Sequence, residues 1–371
     1  MRRWFFISLL LILAACSTTG APTATVPAQP SPTATTPPSP TLAPTATTPP
    51  SPTLAPTATP ISSDPRTGRP AMARGTLTQR PYITMIDNFP AAYPQTGLDQ
   101  AAIVFEALAE YGVTRYMAVF TPDLVEVAGD LGPVRSARLY FVQWAMGFRA
   151  VYTHAGGSPE GLERLAADDN DLVIDIDLVS LEGRQIFDYS RRSLQREAPH
   201  NLYTSAAEIG KYVAERASSS AQADVSEVGY LFAPEAPVAE PISTIDYFFI
   251  YPDDPAGWRY NADTNEYARL RRGRPHIDAV SEQQLTFKSI VTMEVFEAPI
   301  LGDDKGRIDQ QVVGEGRALV FANGSMQAAT WRKTSESAPL RFYDSAEAEI
   351  VFPAGPIWIA AMPSLENVSY E

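Results

Sequence analysis

From residue 16 to residue 63 the chain has no charged side chain, and the segment TATTPPSPTLAP occurs twice in direct tandem, at residues 33–44 and 45–56. A tract of proline, threonine and serine cannot bury an apolar core, and it favours extended polyproline II conformation. We therefore expect residues 16–79 to form a disordered, proline-rich stalk. The folded body should begin near residue 80.

The segment before the stalk reads MRRWFFISLLLILAACS. It has two arginines, an apolar run too short to span a bilayer, and the sequence LAAC ending at Cys16, which is typical of a lipoprotein signal peptidase site. Residues 1–15 are therefore predicted to be a signal peptide and Cys16 the lipidation site. Acylation there would tether an extracytoplasmic protein to the outer face of the cell membrane, with the membrane as partner through the lipid anchor.

Composition excludes several kinds of chemistry. Cys16 is the single cysteine in the sequence, so the mature chain has no disulfide, no thiolate nucleophile and no cysteine metal site. The formal net charge of −14 argues against nucleic acid as a partner, and an anionic ligand would need a local arginine cluster. We expect no metal and no cofactor, and the oligomeric state stays open.

The pattern of apolar residues changes along the body. Residues 80–217 alternate strand-like and helix-like runs, which predicts an α/β layered sandwich. A polar segment, residues 218–235, is expected to link it to residues 236–371, where strand-like runs are separated by turn residues and the pair Asn323-Gly324 indicates a hairpin. The overall expectation is an α+β protein of two domains, the second mostly antiparallel β.

The motif GPVRSAR places Arg135 and Arg138 three residues apart where a helix is expected to begin. Two guanidinium groups on one face at the positive end of a helix suit a carboxylate or a phosphate. The alternative is that acidic side chains of the same fold pair with both arginines.

The motif THAGGSPE follows a predicted strand and opens a predicted helix. His154 ends the strand, Gly156 and Gly157 permit a tight turn, and Ser158 is a natural N-cap. Backbone N–H groups in such a turn can face an anion. The motif lacks the spacing and the lysine of a P-loop, and the histidines of the chain equally suit a role in fixing turns.

Further polar candidates come from two other motifs. APHNLYT contains His200 and Asn201 before a predicted helix that Thr204 or Ser205 should cap, and the first strand of the body is followed directly by Asp87 and Asn88. Glu106 lies inside another strand-like run. A histidine with Asp87 or Glu106 as its carboxylate partner would suit acid-base chemistry, because an unperturbed imidazole titrates near neutrality. We expect the helix starts to bring Arg135, His154 and His200 to one shared cleft.

A resemblance to a known family is carried by the stretches RPYITMIDN, GPVRSAR, THAGGSP, APHNLYT, YNADTNEYARLRRGRPHID, GEGRALVFANGSMQAATWRK and PAGPIWI. In these stretches the chain resembles the YerB-like lipoprotein family, the domain of unknown function numbered 3048. The resemblance implies an extracytoplasmic lipoprotein with N- and C-terminal family domains. It brings no known activity and no established site residues. His276, Asp278 and Trp331, which lie in the C-terminal motifs, are secondary candidates.

Three functions stay open from the sequence. The first is a binding or accessory module of the cell envelope for an anionic or polar wall-derived ligand. The second is a hydrolase or transferase that acts on envelope glycan or peptide, with His154 or His200 as acid or base. In the third, the same motifs lock the two domains together. Whether the protein is an enzyme is therefore not decided at this level.

Overall fold

The computed structural model describes residues 64, 66, 79–121, 129–167, 171–180, 186–217, 220, 223–225 and 228–371. The predicted signal peptide, Cys16 and the stalk, apart from positions 64, 66 and 79, lie outside the described residues. Within the described ranges, no helix has both the length and the apolar character needed to cross a bilayer.

Most of the described residues that have regular structure lie in strands, and the helices are few. The helices are α1 (Leu139–Phe148), α2 (Pro159–Leu165), α3 (Ile186–Tyr189) and α4 (Ala206–Arg216). The strands are β1 (Tyr82–Asp87), β2 (Ile103–Glu110), β3 (Val113–Phe120), β4 (Asp130–Leu131), β5 (Val151–His154), β6 (Ile174–Asp177), β7 (Arg191–Arg192), β8 (Leu202–Ser205), β9 (Leu231–Ala233), β10 (Thr244–Tyr247), β11 (Ala256–Asn261), β12 (Glu266–Arg271), β13 (Arg274–Pro275), β14 (Thr286–Phe287), β15 (Ser289–Glu294), β16 (Phe296–Pro299), β17 (Ile308–Gln311), β18 (Gly314–Ala322), β19 (Ser325–Lys333), β20 (Arg341–Tyr343), β21 (Val351–Pro353), β22 (Ile357–Met362) and β23 (Val368–Tyr370).

A mixed sheet of ten strands, in the order β20-β19-β18-β15-β22-β2-β3-β1-β5-β6, runs through the described part of the chain. β22 pairs in parallel with β2 on one side and with β15 on the other, so strands from both ends of the body share one sheet. Every residue of β22 is buried, as expected for a parallel strand covered on both faces. A second sheet, β13-β12-β11-β10-β23 with β14 beside β12, packs against the first.

The two faces of the large sheet are covered by different elements, because successive side chains of each strand point to opposite faces. On β2, Phe105 packs against Trp144 of α1 with ring centroids 4.9 Å apart. Its neighbour Val104 belongs to the other core, with Ile209 of α4 and Trp258 of β11. Each such buried side chain stabilises the fold by roughly 1.5–3 kcal/mol.

Several local predictions are confirmed. Asn323 and Gly324 both have positive φ, 54° and 75°, in the tight turn between β18 and β19. Ser205 caps α4 by accepting a hydrogen bond from the amide of Glu208. In the segment predicted as a linker, residues 218–235, the described part contributes β9 and the buried side chains of Tyr230 and Phe232. The domain boundaries stay a prediction.

Candidate functional site

Three of the residues predicted from the sequence meet where β1 ends. Asp87 Oδ2 lies 2.6 Å from His200 Nδ1 and 3.3 Å from Arg135 Nε. The amide of Phe89 donates to Asp87 Oδ1 at 3.0 Å, and the Phe89 ring stacks on the His200 imidazole with centroids 4.7 Å apart. The carboxylate therefore orients the imidazole and pairs with the guanidinium of Arg135.

The expectation that GPVRSAR begins a helix is wrong for Arg135. α1 begins only after Arg138, which is its N-cap and has an extended backbone with φ −134° and ψ 151°. The preceding residues pair with two other segments: the amide of Arg135 donates to the Met85 carbonyl, and the amide of Ala137 donates to the Gly156 carbonyl, both at 2.9 Å. These long-range bonds hold the motif extended, so the two arginines do not share a helix face.

The side chain of Arg138 binds groups of the protein itself. Its guanidinium donates to the Ala137 carbonyl at 2.7 Å and forms an ion pair with Glu110, which also binds Arg115 at 2.7 Å. Burial favours the neutral form of Glu110, but the two guanidinium groups hold the pKa of its carboxyl below the ordinary value. Arg138 lines a cavity of about 250 Å³ together with Leu139, Tyr140, Ser158, Glu160, Ile300, Ile308 and Asp309. Because its arginine is paired and two carboxylates join the lining, this cavity suits an anion poorly.

His154 is fully buried, so its side chain faces no open cleft in this structure. Its Nε2 lies 2.7 Å from Asp175 Oδ1, and its Nδ1 lies 2.8 Å from the Gly156 carbonyl. Gly156 has φ +65° and donates its amide to Asp177 Oδ1 at 2.8 Å. An internal carboxylate thus occupies the place where the sequence predicted an external anion. Burial lowers the pKa of His154, but hydrogen bonding and charge from Asp175 outweigh it and raise that pKa above its ordinary value.

The remaining N-terminal candidates support turns. Ser158 caps α2, since its Oγ accepts from an amide of the first turn at 3.2 Å. A Cβ at Gly157 would meet the Leu162 side chain at 2.9 Å, so the close approach of the turn to α2 requires glycine there. The side-chain amide of Asn201 donates to two backbone carbonyls of the preceding turn, each at 3.1 Å.

The secondary candidates of the C-terminal half are also held by the fold. His276 is buried, with Nε2 2.9 Å from Gln95 Oε1, and burial holds its pKa well below the ordinary value. Asp278 accepts the amide of Gly97 at 2.7 Å. Trp331 donates its indole N–H to a β15 carbonyl at 2.7 Å.

A pocket of about 160 Å³ lies where the two halves of the body meet, and two predicted residues, Asn88 and Glu106, line it. We call it the Arg271 pocket. Its other lining residues are Phe89, Pro90, Gly112, Val113, Thr114, Tyr116, Phe249, Ile250, Tyr251, Asp254, Pro255, Ala256, Arg269, Arg271 and Arg272.

The floor of the Arg271 pocket is a buried ion pair. Glu106 Oε2 lies 2.7 Å from Arg269 Nη2, and Thr114 donates to the second carboxylate oxygen at 2.9 Å. The guanidinium of Arg269 lies 4.3 Å from the ring centroid of Trp358 and 4.8 Å from that of Trp258. Burial disfavours charge on Arg269, but the neighbouring carboxylate raises its pKa above the ordinary value. Glu106 is therefore fully engaged as an acceptor and serves the fold of the pocket.

The rim of the pocket carries two further arginines in different states. Arg272 binds Asp254 through both nitrogens of its fork, at 2.6 and 2.8 Å. Arg271 donates to the Asn88 carbonyl at 3.1 Å and lies over the Tyr93 ring, 5.3 Å from its centroid. Among the described residues, no carboxylate lies within ion-pair distance of Arg271. It is thus a restrained, half-buried cation without an ion pair of its own, and the nearby carboxylate of Asp254, which acts on its charge, is already bound by Arg272.

The sequence interpretation missed the residues that give this pocket its chemistry, Phe89, Tyr251 and Arg271. One signal was available: four arginines, at positions 269, 271, 272 and 274, fall within six residues of an acidic chain. The aromatic residues gave no comparable signal, because 10% of the chain is aromatic and only the fold shows which rings stay exposed.

Residues 66–220 match the N-terminal domain, and residues 245–359 the C-terminal domain, of the family described as Protein of unknown function (DUF3048). The chain therefore belongs to this family, and the resemblance found in the sequence is confirmed. It is 29% identical over 294 residues to a Bacillus subtilis protein named "Putative lipoprotein YerB", covering 78% of this chain and 83% of that protein. The crystal structure of the YerB protein from Bacillus subtilis matches with a TM-score of 0.69 and 24% identity, over 83% of this chain and 99% of that chain. This likeness shows a shared fold.

Proposed function

We propose that the protein is a lipid-anchored, extracytoplasmic binding module that holds an anionic, wall-derived ligand in the Arg271 pocket. The name of the Bacillus subtilis relative supports a lipoprotein, and the signal-like segment ending at Cys16 supports the anchor. The proline-rich stalk would carry the pocket away from the membrane surface. With Cys16 acylated, the body would stand on the outer face of the cell membrane.

The observation that carries the proposal is the state of Arg271. Of the three arginines that line the pocket, Arg269 is paired with Glu106 and Arg272 with Asp254. Arg271 is held in place by a carbonyl and an aromatic ring, neither of which cancels its charge. A carboxylate or phosphate would supply the missing partner, and a guanidinium fork binds such groups bidentately.

Binding of wall fragments to the full chain in detergent tests this function. Soluble peptidoglycan fragments that carry free carboxylates are titrated into wild type and Arg271→Ala by isothermal calorimetry. We expect binding by wild type and a loss of affinity of about tenfold or more in the variant. Arg274→Ala is the matched control, because Arg274 is exposed on β13 next to the pocket but does not line it. Equal affinities for all three proteins would overturn the assignment to Arg271.

We also propose that residues 80–217 form an α/β layered sandwich and that residues 236–371 form a β-rich domain. Packing supports the layers: Trp144 of α1 belongs to the core on one face of the N-terminal strands, and Ile209 of α4 belongs to the core on the other.

A second function is favoured by the pair of His200 and Asp87. Asp87 fixes His200 through Nδ1, and no hydrogen bond from the described residues reaches Nε2. Phe89 stacks on this imidazole and also lines the Arg271 pocket, so the His200 side chain lies next to the pocket at its Phe89 edge. This arrangement suits a hydrolase or transferase on envelope glycan or peptide.

Turnover separates this candidate from simple binding. Wall fragments are incubated with wild type and with His200→Gln, and products are followed by chromatography. An enzyme requires product formation by wild type and its loss in His200→Gln, with fragment affinity retained. If wild type binds the fragments and leaves them unchanged, the binding module is the function.

A further inference from the structure

The rim of the Arg271 pocket presents an aromatic ring that is fixed on one side and open on the other. Tyr251 is 52% exposed. On its packed side it crosses Gly112, where an added Cβ would lie 2.4 Å from Tyr251 Cε2. Gly112 has φ +77° in the turn between β2 and β3, so the absence of a side chain there lets the ring lie close against the turn. Tyr251 is therefore a preorganised apolar surface.

Another rim residue, Phe89, is also held and partly exposed. It is 44% exposed, and its ring is stacked on His200 at an interplanar angle of 11°. Exposed rings with restrained orientation lose little entropy when a ligand packs on them. Two such rings on the rim of one pocket indicate a ligand with an apolar face.

The polar groups of the same rim are planar and charged. Arg271 offers a restrained guanidinium fork, and the pair of Arg272 and Asp254 offers a donor and an acceptor side by side. Such groups suit a ring with hydroxyls around its edge and one negative substituent. A pyranose has this distribution, since its faces are rich in C–H groups and its hydroxyls lie on the edge.

The volume of the pocket limits how much of a ligand it encloses. At about 160 Å³ it is smaller than pockets that enclose a whole drug-sized ligand, which run from about 300 to 1,000 Å³. One ring or one substituent fits inside, and the remainder of a longer ligand stays on the open rim beside Tyr251 and Phe89.

We infer that the ligand of the Arg271 pocket is an acidic saccharide, with one sugar face stacked on Tyr251 and its carboxylate bound by Arg271. This inference rests on the proposed binding function and adds the chemical class of the ligand. The shared chemistry is a pyranose that carries a carboxylate, whether as the lactyl ether of a muramic acid or as a uronic acid.

Five probes test the inference by calorimetry on the full chain in detergent. The disaccharide of N-acetylglucosamine and N-acetylmuramic acid carries sugar and carboxylate together. Di-N-acetylchitobiose has the sugars without the acid, D-lactate has the acid without the sugar, and digalacturonate and digalactose form a matched uronic pair. We expect the two acidic disaccharides, or one of them, to bind roughly tenfold or more tightly than the neutral disaccharides and D-lactate. Which acidic disaccharide binds identifies the source of the acid.

Variants of Tyr251 test whether the sugar part of the ligand binds to this ring. Tyr251→Ala should weaken the acidic disaccharide about tenfold and leave D-lactate unchanged, while Tyr251→Phe, which keeps the ring, should bind within about threefold of wild type. Tyr111→Ala is the control, because Tyr111 is exposed on the turn between β2 and β3, against which Tyr251 packs, but does not line the pocket.

Each result has a distinct meaning. If Arg271→Ala abolishes binding of the acidic disaccharides while Tyr251→Ala binds like wild type, the anion site stands and the saccharide inference is overturned. If D-lactate binds as tightly as the disaccharides, the inference is overturned in the same way. If wild type binds none of the five probes and no wall fragment, both the saccharide inference and the proposed binding function are overturned.

Discussion

Glu106 of β2 and Arg269 of β12 form an ion pair of 2.7 Å whose side chains are only 3% and 1% exposed. The pair joins the central strand of the large sheet to the second sheet, and two tryptophan rings flank the guanidinium. It is the floor of the Arg271 pocket and at the same time a contact between distant parts of the chain.

Glu106→Gln should destabilise the protein strongly, because it leaves the buried Arg269 without its carboxylate. We expect a loss of about 3–5 kcal/mol in the free energy of unfolding, measured by urea denaturation. The control is Asp254→Asn, which breaks the more exposed pair with Arg272 and should cost no more than about 1 kcal/mol. Similar losses for both variants would contradict the structural role given to Glu106.

Lys333 should make stability rise with pH above neutrality. Burial lowers the pKa of its ammonium group to about 7, while Glu336 acts in the opposite direction. Its Nζ donates to the backbone carbonyls of Glu336 and Ala338. Between about pH 7 and the ordinary lysine pKa of about 10.4, the unfolded chain binds the proton more tightly, so deprotonation favours the folded state.

The measurement compares urea unfolding of wild type and Lys333→Met at pH 7 and pH 9. Relative to the variant, wild type should gain about 2 kcal/mol over this interval. Lys305→Met, at an exposed lysine, should retain the pH dependence of wild type. Parallel pH profiles for wild type and Lys333→Met would show that Lys333 is not the source.

His154, unlike Lys333, should make the stability of the folded state fall as the pH rises. Although burial opposes the charge, Asp175 raises the folded-state pKa of His154 above the unfolded value of about 6.5. Its contribution to stability is therefore fully present below about pH 6.5 and is lost as the pH rises through the folded-state pKa. His154→Gln should remove this loss. Titration of the imidazole by NMR checks the cause, because Asp175→Asn should lower the pKa of His154.

Gly112→Ala tests how the Tyr251 ring is held. Both Gly112 and Gly273 have positive φ, 77° and 70°, but only at Gly112 would a Cβ meet the tyrosine ring. Gly273→Ala should cost about 1 kcal/mol from backbone strain alone. Gly112→Ala should cost more in urea unfolding and should also weaken saccharide binding. Equal effects of the two variants on stability and binding would indicate that Tyr251 does not pack as described.

Cys16→Ala tests the anchor. Without the thiol there is no site for the diacylglyceryl group, so the variant should incorporate no labelled palmitate and should keep its signal segment. Ser17→Ala is the adjacent control and should be lipidated normally. Acylation or normal processing of the Cys16→Ala protein, assessed by labelling and mass spectrometry, would disprove the lipidation site.

Local signals predicted the elements well where neighbours in sequence decide the structure. The turn at Asn323 and Gly324 and the cap at Ser205 depend on residues within four positions, and both are confirmed. The start of α1 depends instead on amides that pair with Met85 and Gly156, which no local pattern reveals. Long-range hydrogen bonds thus overrode the helix signal at Arg135.

Part of the candidate site was also predictable from local sequence. A carboxylate at the end of β1 was expected from the sequence, and Asp87 does bind His200 and Arg135. What could not be predicted is which arginines find an acidic partner inside the fold. Arg138 forms an ion pair with Glu110, whereas Arg271, in the described part of the chain, forms none and donates instead to the Asn88 carbonyl just after β1.

The position of β22 between β2 and β15 governs the order in which the body can assemble. Trp358 of β22 donates its indole N–H to Glu106 of β2, 252 residues earlier in the chain. Until β22 has been synthesised, β2 and β15 each present an unpaired edge, and closing so long a loop is slow. The nascent polypeptide therefore cannot complete its central sheet until the ribosome has reached β22, which begins at Ile357. A chain whose central sheet stays incomplete for so long keeps two strand edges open to pairing with other segments through most of its synthesis.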